Sequence, residues 1–305
     1  MSHGGGGRAI VAALGANVAI ALAKTVGAII TGSSSMAAEA VHSFADSGNQ
    51  VLLLVGGRRA ARDADDLHPV GHGRERYFFS FVVALVIFSL GAMFAVYEGI
   101  HKISHPAELD APAVAIGILL FAILAEGYSF RTAVKESRPL KGSHSWWEFI
   151  RVSKQPELPV VLLEDLAALI GLLLALTGVT LTLLTGDGIW DGIGTLSIGL
   201  LLGTVAAVLG IEMKSLLIGE SASRSAVGAI AAALVDGVSV KRVIHLKTMH
   251  LGPDELLVAA KIAVEPSLTL PEVALAIDAA EVRVRAAEPL AVQMYLEPDL
   301  DRTPS

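Results

Sequence analysis

Residues 160–184 read VVLLEDLAALIGLLLALTGVTLTLL, a run that is almost wholly apolar apart from Glu164 and Asp165. About 20 mainly apolar residues are enough for a helix to cross the hydrocarbon core of a bilayer. The run therefore predicts a transmembrane helix. Its two acids stand out because an ionisable side chain inside a membrane is costly and is usually kept for a functional reason.

Five further segments of the chain have the same apolar character, covering about residues 9–30, 36–55, 77–100, 113–130 and 189–213. Only 17% of all residues are charged and 53% are hydrophobic, whereas a soluble domain carries about 25% charged residues. This composition excludes disorder, and the absence of cysteine excludes a disulfide scaffold and a thiolate metal site. The sequence predicts an α-helical protein that crosses a lipid bilayer six times.

Lysine and arginine are distributed very unevenly between the loops. The first, third and fifth loops contain Lys102 alone, whereas the second and fourth loops with their flanks contain eleven basic residues: Arg58, Arg59, Arg62, Arg74, Arg76, Arg131, Lys135, Arg138, Lys141, Arg151 and Lys154. Basic residues accumulate on the cytoplasmic side of membrane proteins. Both termini are therefore predicted to be cytoplasmic, and the plasma (inner) membrane is the expected location. The first apolar block lacks a basic n-region, so we do not expect a cleaved signal peptide.

After Met213 the composition becomes that of a small soluble domain. Two segments have helical spacing and three alternate like strands, in the order 223–235, 240–249, 256–264, 270–287 and 291–296. This αββαβ order suits a compact α+β sandwich, with Gly252-Pro253-Asp254 as the hairpin turn. The predicted domains are a Gly-rich tail at 1–8, a transmembrane domain at 9–214 and a C-terminal domain at 215–305. The net charge of −7 gives no support for a nucleic-acid partner.

Several ionisable residues fall inside the predicted membrane spans. His42 and Asp46 are four residues apart, on one face of a helix, and form half of a tetrahedral metal site or a buried hydrogen-bonded pair. Glu164 and Asp165 differ by about 100° around their helix, so only one can point directly at a shared centre. The other reading places both acids at the interface. Glu126 is interpreted as a structural or pathway residue, and Lys24 as a residue that snorkels to the interface.

The second loop contains three potential metal ligands within eight residues: Asp65, His68 and His72. Proline and glycine separate them and allow the chain to fold back, so that the three side chains can converge. A charged loop that is merely solvated is the simpler alternative.

Two stretches of this sequence resemble the cation diffusion facilitators. The first comprises residues 17–24, from Asn17 to Lys24, together with residues 32–46, from Gly32-Ser33-Ser34-Ser35 to His42 and Asp46. The second is residues 68–76, HPVGHGRER. The resemblance extends from about Arg8 to Pro298. Within that family, Glu164-Asp165 and the Trp146-Trp147 loop are most similar to the zinc transporter nine branch.

The resemblance implies a homodimeric metal–proton antiporter, with six helices and a cytoplasmic ferredoxin-like domain, that exports zinc in exchange for protons. The implied transport ligands are His42, Asp46 and Asp165. The family usually has a histidine at the position of Val161, so either Glu164 supplies the fourth ligand or a water does. An oxygen-rich site makes manganese, iron, cobalt or cadmium plausible besides zinc. The implied loop site is Asp65, His68 and His72.

The C-terminal domain departs from the family pattern. Lys261 stands where a histidine is expected, and Tyr295-Leu296-Glu297 replaces a terminal metal-binding motif. This indicates a dimerisation platform rather than a metal sensor.

Two rival functions stay open. One is a non-transporting metal sensor or adaptor, which has no need of a buried His42–Asp46 pair. The other is an intramembrane metalloenzyme. The sequence has no H-E-x-x-H motif, which argues against the enzyme.

Overall fold

In the computed structural model, residues 4–300 are described, with side chains from Asn17 onward except that of Ile87. Six long helical stretches precede the C-terminal domain: α1 (Gly4–Thr31), α2 (Ser34–Ala60), the stretch Glu75–Ser104, α5 (Pro112–Lys141), α7 (Glu157–Thr185) and α8 (Ile189–Ile218). The stretch Glu75–Ser104 consists of α3 (Glu75–Val82), a π-helical segment (Val83–Ile87) and α4 (Phe88–Ser104). A short helix, α6 (Trp146–Val152), lies between α5 and α7.

Among the described residues, four of these stretches are long and apolar enough to cross a membrane: Glu75–Ser104, Pro112–Lys141, Glu157–Thr185 and Ile189–Ile218. They confirm a helical domain of membrane type. The α2 helix is too polar to meet the same criterion because it carries Glu39, His42, Asp46 and Asn49. Six crossings therefore stay a prediction. The α1 helix begins at Gly4, within the range 1–8 that was predicted as a Gly-rich tail.

The α2 helix begins at Ser34 because a buried acid on α8 caps it. Asp191 accepts hydrogen bonds from the backbone N–H of Ser34 at 2.7 Å and from the hydroxyl of Ser33 at 2.8 Å. The first N–H groups of a helix have no partner within the helix, and they carry partial positive charge. The carboxylate thus satisfies these donors and ties the start of α2 to α8, which gives the serine run at 33–35 a structural role.

Helices α4 and α8 approach each other closely at glycines. A Cβ atom added to Gly99 would lie 2.6 Å from the backbone nitrogen of Leu196, and one added to Gly199 would lie 2.8 Å from that of Val96. Real Cβ atoms do not approach backbone this closely. Small residues are common where membrane helices pack backbone to backbone, and here they set the distance between α4 and α8.

The C-terminal residues form the predicted αββαβ order: α9 (Arg224–Leu234), β1 (Val240–Gly252), β2 (Glu255–Val264), α10 (Leu270–Ala287) and β3 (Ala291–Asp299). The central strand β2 pairs antiparallel with β1 and parallel with β3. The two helices and the sheet enclose one apolar core, which includes Ile230, Val258, Ile262 and Val284. Pro253 and Asp254 form the hairpin turn, as predicted. The result is a small domain with a mixed sheet.

The chain separates into two compact units. One comprises the chain up to Gly56 together with Phe78–Lys214, and the other comprises Gly57–Tyr77 together with the chain from Ser215 onward. The second loop therefore belongs with the C-terminal residues. A linear division between residues 214 and 215 does not anticipate this grouping, because it assigns the loop to the transmembrane domain.

The close packing of α4 and α8 makes a direct prediction. Gly99→Ala should destabilise the protein by about 1–3 kcal/mol, because the added methyl group overlaps the backbone of α8. The measurement is the thermal unfolding midpoint in detergent. Gly117→Ala on α5 is the matched control, since a Cβ there meets none of the described atoms within 4 Å. An equal midpoint for the two variants would contradict the close contact.

Candidate metal centre

One face of α2 is polar although it is buried. Glu39, His42, Ser43, Asp46 and Asn49 follow one another at steps of one or three residues, and all five are buried. Such spacing places side chains on one side of a helix. The polar face therefore lies toward neighbouring helices, where its groups need partners within the protein.

The predicted pair on this face is formed. The Nδ1 atom of His42 lies 3.5 Å from Oδ1 of Asp46, and the ring centroids of His42 and Phe88 are 6.1 Å apart. The other ring nitrogen, Nε2, is buried and has no hydrogen-bond partner among the described residues. A purely structural pair would leave this nitrogen unsatisfied at a cost. An available imidazole nitrogen beside a carboxylate is a donor set that suits a divalent metal.

The two acids of α7 are both buried but face different helices. Glu164 accepts a hydrogen bond from the side-chain amide of Asn49 on α2, and its carboxyl group lies within hydrogen-bonding reach of that of Asp46. Asp165 instead accepts a hydrogen bond from the hydroxyl of Ser129 on α5 at 3.0 Å. This divergence follows from the angle of about 100° between successive helical residues. Glu164 is therefore the α7 acid that meets the polar face of α2.

The position of Val161 accounts for this arrangement. Val161 packs against an apolar cluster that contains Ala133, Phe149 and Leu162. Residues four apart share a helical face, so Val161 and Asp165 lie on the same side of α7, which for Asp165 is the side of α5. A ligand at position 161 would thus project away from Asp46 in this structure.

The four predicted transport residues do not form one compact cage. His42, Asp46 and Glu164 come together, whereas Asp165 is held by Ser129. In the described part of the chain, one group of three potential ligands has all its ligand atoms within 4.8 Å of one another, and that group is Asp65, His68 and His72. The membrane site therefore brings together three of the four predicted ligands.

Lys24 does not snorkel to an interface. Its side chain is 1% exposed, and its ammonium donates hydrogen bonds to Glu39 at 3.1 Å and to Ser43 at 2.7 Å. The sequence-based interpretation is wrong because the carboxylate that stabilises this charge lies on another helix. Glu39 was not identified from sequence as a functional residue for the same reason. Its signal was its place three residues before His42 on the same helical face.

Glu126 on α5 is the other acid that belongs to this region. Its charge acts on those of Asp46, Glu164 and Asp165. An acid near three others opposes further negative charge and favours a cation among them.

The loop ligands converge around a single carboxylate. One oxygen of Asp65 lies 3.0 Å from Nδ1 of His68, the other lies 3.2 Å from Nε2 of His72, and the two rings are 4.3 Å apart between centroids. The backbone N–H of His68 donates to Asp65, and this hydrogen bond, with those from the two rings, lowers the pKa of the carboxyl group to about 2. Asp65 therefore stays ionised at any physiological pH.

In the C-terminal domain, Lys261 occupies the position where a metal ligand was expected. Its ammonium lies 2.9 Å from a carboxylate oxygen of Glu297 and 3.1 Å from one of Asp299, and His245 is its partner on the neighbouring strand. The hydrogen bond to Glu297, followed by that to Asp299, raises the pKa of Lys261. A fixed cation between the two acids opposes binding of a dication there.

Comparison with known proteins agrees with these features. The profile of the cation efflux transmembrane domain matches residues 10–218. The chain belongs to the cation efflux family.

Individual relatives cover most of the length of this chain. The "Proton-coupled zinc antiporter SLC30A9, mitochondrial" of Xenopus laevis is 33% identical over 260 residues, which are 85% of this chain and 46% of that protein. The human protein of the same name is 34% identical over 251 residues, 81% of this chain and 44% of that one. The "Metal tolerance protein C4" of Arabidopsis thaliana is 31% identical over 230 residues, 74% of this chain and 50% of that one.

These matches confirm the predicted family and its zinc transporter nine branch. The animal relatives are named antiporters, a class of transporters and not of enzymes. The chain spans about half the length of these curated relatives.

The loop group predicts a distinct metal site in this cation efflux protein. Asp65→Asn should abolish one divalent-ion binding event per chain, because the amide keeps the backbone hydrogen bonds but removes the charge between two imidazoles. Equilibrium dialysis with cadmium at neutral pH counts the ions bound. Asp66→Asn, an exposed neighbour, is the matched control. Unchanged stoichiometry in Asp65→Asn, or equal loss in the control, would refute the site.

Proposed function

We propose that this protein is a divalent cation/proton antiporter that exports zinc, or a similar ion such as manganese, iron, cobalt or cadmium, from the cytoplasm. The observation that carries the proposal is the meeting of His42 and Asp46 on α2 with Glu164 on α7. Three ligand groups from two helices converge inside an apolar bundle. The animal relatives are themselves named proton-coupled zinc antiporters.

The chemistry of this site suits a divalent metal. An imidazole nitrogen without a partner among the described residues and two carboxyl groups offer one nitrogen and several oxygen donors. Zinc accepts such a mixed set, and the high share of oxygen favours harder ions more than a site with two histidines does. Metal specificity in this proposal therefore depends on His42.

Proton coupling follows from the contact between the two acids. Carboxyl groups that hydrogen-bond to each other need a proton between them, since two carboxylates repel at this distance. A metal ion that binds both groups must displace that proton. Metal and proton therefore compete for Asp46 and Glu164, which is the requirement for exchange of one against the other.

Asp165 completes the site in another conformation. To reach the metal it must leave Ser129 on α5, which requires α7 to turn relative to α2. Rocking of helix groups around a fixed midplane site is common in secondary transporters. We propose that Glu164 and Asp165 serve as ligands in different stages of this motion, with a water in the remaining position.

The wider assembly is part of the same proposal. We propose six membrane crossings, with α1 and α2 as the first two, a C-terminal domain of ferredoxin-like type and a homodimer. The distribution of basic residues supports cytoplasmic termini. The proposed location is the plasma (inner) membrane. The animal relatives are named mitochondrial, and fractionation of the host cells distinguishes the two locations.

Uptake into proteoliposomes tests the function. Purified protein with an imposed pH gradient should take up radioactive zinc, and collapse of the gradient should slow this uptake. Asp46→Ala and Asp165→Ala should each abolish transport, because a dication in low dielectric then lacks compensating charge. A folded wild-type protein that moves no zinc, manganese, iron, cobalt or cadmium would instead support a sensor or adaptor.

Glu164→Gln tests the ligand that sequence comparison leaves open. The change keeps the size of the side chain and its contact with Asn49 but removes the charge. We expect metal affinity at the membrane site to fall at least about tenfold, the loss typical of a disturbed metal shell. Isothermal titration with zinc measures it. Glu157→Gln in the first turn of the same helix is the control. An unchanged dissociation constant would leave His42, Asp46, Asp165 and a water as the ligands.

The absence of cysteine permits a clean test of orientation. Cysteines introduced at the exposed residues Asp187 and Ser143 should react with a membrane-impermeant maleimide from opposite sides. Asp187 should label from outside and Ser143 only from the cytoplasm, as the uneven distribution of basic residues demands. Labelling of Ser143 from outside would reverse the proposed orientation.

A further inference from the structure

A buried ion pair lies beside the proposed metal site and has no part in the mechanism described above. The ammonium of Lys24 on α1 is 3.1 Å from the carboxylate of Glu39 on α2. The two side chains are 1% and 0% exposed. Charges buried this completely need a specific reason, because an apolar pair of the same volume usually stabilises a protein at least as well.

The surroundings of the pair are adapted to it. Ser43 accepts a second hydrogen bond from Lys24 at 2.7 Å. On the opposite side, α7 has Gly171, where any Cβ atom would collide with Oε1 of Glu39. The absence of a side chain at this position of α7 thus leaves room for the carboxylate. Three helices, α1, α2 and α7, meet at the pair.

The two members of the pair are not equally satisfied. Lys24 has two acceptors, whereas Oε1 of Glu39 is buried and has no hydrogen-bond partner among the described residues. Lys24 is also the cation whose charge acts on His42, on Asp46 and on Glu126. Glu39 lies three residues before His42, on the same face of α2. The charges of the pair therefore act directly on the proposed metal ligands.

We propose that Lys24 is a tethered counter-ion of the metal site: held by Glu39 and Ser43, its ammonium offsets the Glu39 carboxylate and so limits how tightly a dication binds at His42, Asp46 and Glu164. The inference rests on the proposed function and assigns a positioning role to two residues that do not touch the metal.

The physical reason is the balance between binding and release. The region contains the acids Glu39, Asp46, Glu126, Glu164 and Asp165. In a medium of low dielectric, a dication among five acids would be held too tightly to leave. A permanent cation from the protein lowers this attraction without occupying a ligand position. A lysine suits the role because its flexible stem reaches from α1 and its charge is compact.

The two halves of the pair should therefore have opposite effects on metal affinity. Lys24→Met removes the cation that repels a dication and keeps the acid Glu39, so the site should bind a dication more tightly. Glu39→Gln removes an acid and keeps the side chain of Lys24, so the site should bind a dication more weakly. A pair that serves only to join α1 to α2 predicts the same direction for both, since each variant breaks the same contact.

The experiment measures equilibrium binding of zinc and of cadmium to full-length protein in detergent at neutral pH. All variants carry Asp65→Asn, which removes the loop site from the titration. Relative to the double variant Lys24→Met/Glu39→Gln, in which both charges are absent, we expect Lys24→Met to lower the dissociation constant at least about tenfold and Glu39→Gln to raise it by a similar factor. The double variant should lie between them.

Shifts in the same direction, or no shift in either, would overturn the inference. Each single variant is compared with the double variant, in which both charged side chains are absent. One folded single variant is therefore enough to determine whether metal affinity rises or falls. Transport is measured separately on the parent protein. Opposite shifts in a protein that does not transport would reject the antiport function and keep the counter-ion, whereas a parent that binds no metal at Asp46 would overturn both.

Discussion

The contact between the carboxyl groups of Asp46 and Glu164 is the constraint on which the membrane unit depends. Two acids from different helices meet where water does not compensate their charge, and a buried charge without a partner costs several kcal/mol. They can remain together only with a proton or a cation between them. The surrounding packing holds them in that position. Asp191 fixes the start of α2 against α8, and the cluster around Phe149 fixes the orientation of α7.

Other acids of the protein have permanent solutions to the same problem. Glu39 has Lys24, and Asp191 has serine groups and the start of a helix. Each of these acids is compensated by the protein itself. For the pair Asp46 and Glu164 we propose an exchangeable partner instead, and the nearby Nε2 of His42 has none within the described chain. The incomplete group is the one suited to bind and release an ion.

Much of the architecture follows from the sequence alone. The apolar runs of the later spans indicate helices that can cross a membrane, and the change of period after Met213 indicates the αββαβ order, because hydrophobic spacing depends only on the local backbone geometry. The turn at Pro253 and Asp254 is local in the same sense. The spacing of His42 and Asp46 places them on one helical face whatever surrounds them. The convergence of Asp65, His68 and His72 is likewise a local property of one short loop.

Only the tertiary structure decided how these elements face one another. The sequence determines that Glu164 and Asp165 diverge by about 100°, but it does not determine which one meets α2, because that depends on the packing of Val161 on the far side of α7. Lys24 could not be recognised as buried, since Glu39 lies on another helix. The second loop was assigned to the membrane domain because sequence order does not show that it belongs with the C-terminal unit. In each case the deciding partner is distant in sequence, so no local pattern records it.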